Sequence, residues 1–358
     1  MGAARRITAA LLGLALSAWS GASPPSVLDE FDADERARLL GHGPWPPPPA
    51  LDPSNRFSGL DAARRLGERL FADPRLSVNR AVSCASCHDA SRAFTDGRPK
   101  ARAIGELDRN TQGLFDVDQQ RWFGWDGGAD SLWAATLRPM LDPRELGTNA
   151  AHVAALVRGD PGLRESLAGL RAARPAPTRP AGAPSEDADE SVLVDVAKVI
   201  AVYQASLRSP RTPFDDFRDA VERGDAAAAA RYPAPARRGL KLFLGRGQCG
   251  ACHVGPSFSN GEFHDIGIGF MPRPGVVDPG RHAGLKRLAG DRYNLLGPFN
   301  DEPPGPDPQG RRMDLKTRTV QSLHRHFGEW RTPCLRSLAL TAPYMHDGRL
   351  ARLEDVVA

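Results

Sequence analysis

The sequence predicts an all-α protein built from two helical domains. Apolar residues recur at helical spacing, as at Val192, Val196 and Val199, and no segment alternates apolar and polar residues strongly enough to predict a sheet. A helix-like stretch followed by Cys-x-x-Cys-His occurs twice, and the second copy lies 165 residues after the first, from Cys84 to Cys249. Because 358 residues suffice for two domains, we expect one copy in each.

Composition narrows the classes of function. Lys plus Arg (47) nearly balance Asp plus Glu (43), and no basic cluster is interleaved with aromatic residues, so the sequence does not indicate nucleic-acid binding. Gly and Pro are numerous (36 and 32), which predicts long irregular connections between the helices.

Residues 1–22 have the pattern of a secretory signal. Arg5 and Arg6 precede an apolar stretch that is too short to span a bilayer, and the small residues Ser20-Gly21-Ala22 suit cleavage. A retained membrane anchor is the alternative. We expect an exported, soluble protein without stable membrane insertion once the signal is removed.

The next segments predict a leader and a first domain. Residues 23–55 are proline-rich and predict an extended leader over the surface. Residues 56–170 form the first domain, which begins with a helix over Leu60–Phe71 that ends at Asp73-Pro74.

A linker and a second domain follow. Residues 171–190 are rich in Ala and Pro and then acidic, which predicts a disordered linker loop. Residues 191–358 form the second domain, where Ala236–Leu244 resembles Ala63–Phe71 of the first.

Each Cys-x-x-Cys-His motif has the residues that attach a c-type haem. Two thiols three positions apart can each add to a vinyl group of one haem, and the imidazole of the following His is then the proximal ligand of the iron. A four-Cys zinc site would need its two pairs close together, and a redox dithiol would leave both His residues unexplained. The sequence therefore predicts two cytochrome c-like domains with two covalently bound haem c groups, held by Cys84, Cys87 and His88 and by Cys249, Cys252 and His253.

Two further segments carry a family resemblance. Residues 121–146 read RWFGWDGGADSLWAATLRPMLDPREL, and residues 331–348 read RTPCLRSLALTAPYMHDG. Together with the two haem motifs, they resemble the bacterial di-haem cytochrome c peroxidase and MauG superfamily from about Leu60 to the C-terminus. The resemblance implies a periplasmic oxidoreductase that uses hydrogen peroxide.

The resemblance also implies roles for single residues. Trp125 matches the tryptophan that links the two haems, and Glu145 matches the distal glutamate that does acid–base chemistry on peroxide. Asn110, Thr341 and Pro343 match positions that hold a calcium ion through oxygen atoms. Taken singly, these residues have simpler interpretations: a core aromatic, a surface carboxylate and a turn cap.

Some positions depart from the family pattern. The family often has Gln at the position of Ala135 and Arg at the position of Gly128. Ordinary peroxidases carry a distal His near residues 103–107, where this chain has none, so we expect the His88 haem to be five-coordinate and ready for peroxide when ferric. The chain ends at Ala358, before the expected distal ligand of the second haem, so we expect a truncated second domain or a different ligand.

The resemblance implies that peroxide reacts at the His88 haem and that oxidising equivalents reach the His253 haem through Trp125. The segment with Trp122 and Trp133 looks closest to the methanobactin-associated MbnH branch, which oxidises tryptophan on a partner protein, although both residues would also serve as packing residues. Two alternatives stay open. One is a cytochrome c peroxidase that reduces peroxide to water with electrons from a small cytochrome or copper protein, and the other is a non-enzymatic di-haem electron carrier.

Overall fold

The computed structural model describes residues 26–177, 184–269, 271, 274–303, 305, 310 and 312–358. The predicted signal at residues 1–22 and residues 178–183 of the predicted linker lie outside this range. The described part of the chain contains twelve α-helices: α1 Ala33–Leu40, α2 Asp61–Phe71, α3 Leu132–Leu141, α4 Ala150–Gly159, α5 Pro161–Ala173, α6 Asp189–Ala205, α7 Pro213–Arg223, α8 Ala226–Ala229, α9 Ala234–Leu244, α10 Arg281–Gly290, α11 Leu315–Thr319 and α12 Leu353–Val357.

Strands are scarce, as the sequence predicts. Within the described residues, β1 (Phe263–His264) pairs with β2 (Trp330–Arg331) as a two-stranded antiparallel sheet. The expectation of a mainly helical fold is therefore confirmed. No helix among the described residues is both long enough and apolar enough to cross a membrane.

The first core surrounds α6. This helix is buried on almost every side, with Val194, Val199 and Ile200 fully inaccessible, and α2, α3 and α4 all pack against it. A helix that is buried on all faces lies at the centre of a bundle, and the two buried charges of this helix are paired, Asp195 with Arg56 and Lys198 with Asp301. The predicted apolar stripe is confirmed, but the packing places α6 with the first motif, whereas the sequence-based boundary assigned residues 191 onward to the second domain.

One glycine allows α2 to approach α6 closely. A Cβ atom at Gly67 would overlap the carbonyl oxygen of Val199 and would stand 2.9 Å from Cβ of Tyr203. Real Cβ atoms do not tolerate such distances, so the spacing of the two helices depends on the absence of a side chain at this position.

The second core contains α1, α7, α8 and α9. Phe31 (2% exposed) and Leu39 (0% exposed) are buried in it, against residues that include Phe217. A capping box between Asp32 and Glu35 starts α1. The prediction of an extended surface leader is therefore wrong for residues 27–40, because the apolar side chains of this segment find a core that lies far away in the sequence.

The close approach at Gly67 predicts an effect on stability, and a glycine in another helix provides the control. We expect Gly67→Ala to lower the free energy of unfolding by about 1–3 kcal/mol, because the added methyl group overpacks the α2–α6 contact. Gly239 lies inside α9 with open space around its Cβ position, so Gly239→Ala should raise the free energy of unfolding by about 0.5–1 kcal/mol. Urea unfolding of the haem-loaded protein measures both, and equal effects of the two substitutions would contradict this account of the packing.

Candidate functional site

The two Cys-x-x-Cys-His motifs fold into the same tight turn. The amide of His88 donates a hydrogen bond to the carbonyl of Cys84 at 3.0 Å, and the amide of His253 donates to that of Cys249, also at 3.0 Å. All five cysteines of the chain are free thiols. Each motif therefore has two unpaired thiols beside one imidazole, as attachment of a haem requires.

Both imidazoles are oriented by the same kind of hydrogen bond. Nδ1 of His88 donates to the carbonyl of Phe94 at 2.8 Å, and Nδ1 of His253 donates to that of Phe258 at 2.9 Å. This bond fixes the tautomer and leaves Nε2 as the nitrogen that can bind a metal. Burial lowers the pKa of both imidazoles, which favours the neutral form that a metal ligand needs.

The two carbonyls that accept these bonds belong to residues in the left-handed conformation. Phe94 has φ of 60° and Phe258 has φ of 53°. A non-glycine residue in this region costs about 1–3 kcal/mol and persists where the surroundings require it. The repetition of this conformation in both motifs indicates that orienting the His ring is what requires it.

Aromatic rings border each motif and provide apolar surface for a flat ligand. Phe71 lies 6.2 Å from the ring of His88 and 5.2 Å from that of Tyr203, and Phe214 lies 5.1 Å from Phe258 beside the second motif. The residues present therefore fit a haem at each motif.

His42 is a site residue that the sequence did not indicate. Its buried ring stacks on Phe258 at 4.7 Å, and its Nδ1 donates to the carbonyl of Gly255 at 3.1 Å. The segment that was predicted as a leader thus braces the loop that orients His253. The residues next to His42 do not predict this contact, because the partners of His42 lie more than two hundred residues away in the sequence.

Glu145 lies at the first motif. It follows α3 in a turn closed by the bond from its amide to the carbonyl of Asp142 (2.9 Å), and its carboxylate is near enough to Cys84 to disfavour ionisation of that thiol. Burial raises the pKa of Glu145 above its ordinary value, and the Arg138 guanidinium acts in the opposite direction. A half-buried carboxyl with a raised pKa holds a proton at a higher pH than an ordinary glutamate does, which suits a group that must both accept and donate a proton.

Trp125 is hydrogen-bonded to both halves of the chain, the first half being the part that carries the first Cys-x-x-Cys-His motif and the second half the part that carries the second motif. Its indole Nε1 donates to the carbonyl of Asn110 at 2.9 Å, and its own carbonyl accepts from the amide of Arg331 at 2.9 Å. The amide of Asn110 in turn donates to the carbonyl of His346 at 2.8 Å. The indole is thus held at the junction between the first half and the C-terminal segment.

Asp126 is a fully buried carboxylate at the same junction. It accepts from Arg109 at 2.6 Å and from Arg287, and Arg138 lies 3.7 Å away. These guanidinium groups hold its pKa well below the ordinary range in spite of burial. Arg109 also forms a two-bond pair with Asp278 at 2.7 and 2.8 Å, so the cluster joins residues from both halves.

Arg287 occupies the space that the departure at Gly128 leaves. A Cβ atom at Gly128 would stand 3.0 Å from Nε of Arg287, so the guanidinium packs directly on the glycine. Arg287 comes from α10, far along the chain. Arg287 thus places a positive charge beside Gly128 from a distant part of the chain.

The two additional tryptophans are packing residues in this structure. Trp133 is fully buried in the first core and donates from Nε1 to Oγ of Ser54 at 2.9 Å. Trp122 is buried against Leu285 and Leu288. The packing alternative thus accounts for both positions.

The three residues expected at a calcium site lie on neighbouring segments. The bond from Asn110 to His346 joins the first of them to the segment that contains Thr341 and Pro343. Within the described residues, no group of three or more His, Cys, Asp or Glu side chains is placed to hold a metal ion. A cation here would rely on amide and carbonyl oxygens, which suit calcium.

Comparison with known proteins identifies the family. The family model described as di-haem cytochrome c peroxidase matches residues 61–223. The methylamine utilization protein MauG of Methylorubrum extorquens is 32% identical over 294 residues, which cover 82% of this chain and 66% of that protein. The cytochrome-c peroxidase IdrP2 of Denitromonas iodatirespirans is 31% identical, with 82% of this chain and 71% of that protein covered. MauG of Paracoccus denitrificans is also 31% identical, with coverage of 83% and 73%.

Solved structures have the same fold. A MauG-like protein associated with microbial copper homeostasis superposes with a TM-score of 0.61 at 24% identity, covering 88% of this chain and 80% of that one. The di-haem peroxidase BthA of Burkholderia thailandensis gives a TM-score of 0.58 at 23% identity, with coverage of 84% and 71%. The sequence similarity to these relatives extends over most of the chain, which also carries the two Cys-x-x-Cys-His motifs. This chain therefore belongs to the di-haem cytochrome c peroxidase and MauG family of peroxide-dependent oxidoreductases.

Proposed function

We propose that this protein binds two haem c groups covalently and uses hydrogen peroxide to oxidise a partner protein in the periplasm. The observation that carries this proposal is that both Cys-x-x-Cys-His motifs orient their imidazole in the same way, by a hydrogen bond from Nδ1 to a nearby phenylalanine carbonyl. Cys84, Cys87 and His88 would hold one haem, and Cys249, Cys252 and His253 the other. When bound, haem supplies the redox chemistry, in which one peroxide takes two electrons and two protons and yields two water molecules.

Residues of the chain itself provide proton transfer and electron transfer. Glu145 takes a proton from the inner oxygen of peroxide and helps to protonate the leaving oxygen, and its raised pKa brings it closer to the pH at which it must exchange protons. Trp125 lies between the halves and provides the path for electrons between the two haem sites. The Asn110 carbonyl and the Arg331 amide hold Trp125 in place.

Oxidation of a protein substrate is the first choice of reaction. The similarity to two MauG proteins and the absence of His in residues 103–107 support it. Tryptophan on the partner is the substrate that the resemblance to the MbnH branch suggests. A second candidate is reduction of peroxide with electrons from a small cytochrome or copper protein, which the similarity to the peroxidase IdrP2 favours.

Two finer features belong to the proposal. One calcium ion would bind between the segments of Asn110, Thr341 and Pro343, where the bond from Asn110 to His346 brings the segments together. The secretory-signal pattern of residues 1–22 supports a periplasmic location.

Glu145 tests the proposed proton transfer. We expect Glu145→Gln to slow the reaction with peroxide by about 10²–10⁴-fold, the usual contribution of a general acid–base group. Because the pKa of Glu145 is raised, the wild-type rate should fall as the pH drops through a value above that of an ordinary glutamate, and the amide variant should lose this acid limb. Stopped-flow absorption measures both effects.

A matched control uses the same substitution elsewhere in the first domain. Glu165 is exposed on α5, so Glu165→Gln should leave the rate and its pH profile unchanged. An unaltered rate and acid limb in Glu145→Gln would remove Glu145 from the proton transfer.

Trp125 tests the path between the two sites. We expect Trp125→Phe to keep the reaction of peroxide at the first haem site and to slow the response of the second, because the indole and its bond to Asn110 are lost. Trp122→Phe, which removes a buried indole from the same segment, should leave the response of the second site intact. Time-resolved spectra of the two haems distinguish these results, and an equally fast second site in both variants would contradict the assignment.

A further inference from the structure

The described tryptophans differ in whether a positive charge faces the ring. Five of the six tryptophans of the chain lie in the described residues, and four of them have a Lys or Arg side chain over the ring. The distances from charge to ring centre are 3.5 Å for Arg336 over Trp45, 4.5 and 5.3 Å for Arg281 and Lys316 over Trp122, 5.1 Å for Lys198 over Trp133 and 5.0 Å for Arg109 over Trp330. Among the residues that the structure describes, no Lys or Arg side chain lies over Trp125.

A cation over an indole opposes removal of an electron from it. The contact is attractive while the ring is neutral, because the negative face of the π-system meets the positive charge. Loss of one electron makes the ring positive and turns this attraction into repulsion. Inside a protein that repulsion is poorly screened. All four indoles are therefore harder to oxidise than an indole without such a neighbour. The effect is weaker where a carboxylate pairs with the cation, as Asp215 does with Arg336, Asp301 with Lys198, and Asp126 and Asp278 with Arg109. It is larger at Trp122, which two cations face.

Trp125 also differs from Trp330 in the partner of its N–H group. Its Nε1 donates to the carbonyl of Asn110, so the more acidic N–H of an oxidised indole would keep an acceptor. Nε1 of Trp330 is buried and has no acceptor among the described atoms. Charge and hydrogen bonding thus both favour oxidation at Trp125 over Trp330.

We propose that the cationic side chains over Trp45, Trp122, Trp133 and Trp330 protect these indoles from one-electron oxidation and confine oxidising equivalents to Trp125. The inference rests on the proposed function, in which each peroxide molecule draws two electrons from outside the haem sites and releases two water molecules. Each electron that leaves an indole is taken up by the oxidant, whose oxidation level falls by one electron. The cations would thus direct the electrons that the partner supplies through Trp125 and limit damage to the protein itself.

Trp122 is the most suitable tryptophan for a test. Two cations near the ring are chosen for removal: Arg121, which is exposed and lies 5.9 Å from the ring, and Lys316, which is half-buried and donates to the carbonyl of Arg121. Arg281 should be kept, because it is buried and bonds the carbonyl of Gly127 at 2.8 Å. The test variants are Lys316→Gln, Arg121→Gln and the double variant, and Lys286→Gln on the exposed side of α10 removes the same charge as a control.

Two oxidants should be applied to the haem-loaded protein at about pH 6, where Lys316 is charged since burial lowers its pKa only to about 8. One is stoichiometric hydrogen peroxide, and the other is photogenerated tris(bipyridine)ruthenium(III), which takes one electron without peroxide chemistry. Peptide mass spectrometry then gives the yield of oxidised Trp122 relative to Trp125. We expect this ratio to rise several-fold in the double variant, to rise less in each single variant and to stay unchanged in Lys286→Gln.

The outcomes separate the two proposals. A raised ratio with the ruthenium oxidant and no oxidation with peroxide would support the role of the cations and overturn the proposed function. The same ratio in the wild type and the double variant with the ruthenium oxidant would overturn the role of the cations. If circular dichroism shows that the double variant is unfolded, Arg121→Gln alone decides, because its side chain is exposed and we expect its substitution to preserve the fold.

Discussion

One buried carboxylate ties the two halves of this molecule together. Asp126 has no solvent exposure and is charged, a state that costs several kcal/mol unless opposite charges surround it. Arg109 and Arg138 approach it from the first half and Arg287 from α10 of the second, so contact between the halves adds to the compensation of this charge. Because Trp125 immediately precedes Asp126, the same constraint fixes the indole at the junction. Arg138 extends the cluster to Glu145, whose ionised form it favours.

The proposed peroxide chemistry depends on this junction and on a His-orienting hydrogen bond that occurs in both motifs. Each Cys-x-x-Cys-His turn is followed by a phenylalanine in the left-handed conformation whose carbonyl orients the His ring. The environments of the two turns differ. The first has Glu145 beside it, whereas the second is braced by His42 from the N-terminal segment. The repeat thus provides two similar metal-binding positions, and the surroundings favour proton chemistry at the first.

The sequence revealed features that depend on local spacing. The two motifs, the helices α2 and α9 and the apolar stripe of α6 were all predictable, since a few neighbouring residues determine them. Features that depend on distant partners were not predictable. Residues 27–40 belong to a segment that the sequence predicts as an extended proline-rich leader, and only the contacts of Phe31 and Leu39 with the second core show otherwise. The sequence of α6 likewise does not indicate which core this helix fills. The contact at Gly128 was likewise not predictable, because Arg287, which packs on the glycine, lies far along the chain.

The central claim is that peroxide reacts directly at the His88 site and that Trp125 connects this site to the second. The most direct measurement mixes the fully oxidised, haem-loaded protein with one equivalent of hydrogen peroxide in a stopped-flow spectrometer. The account predicts prompt spectral changes at both haems without prior reduction. A protein that reacts only after one electron is added, or whose second haem never responds, would contradict it.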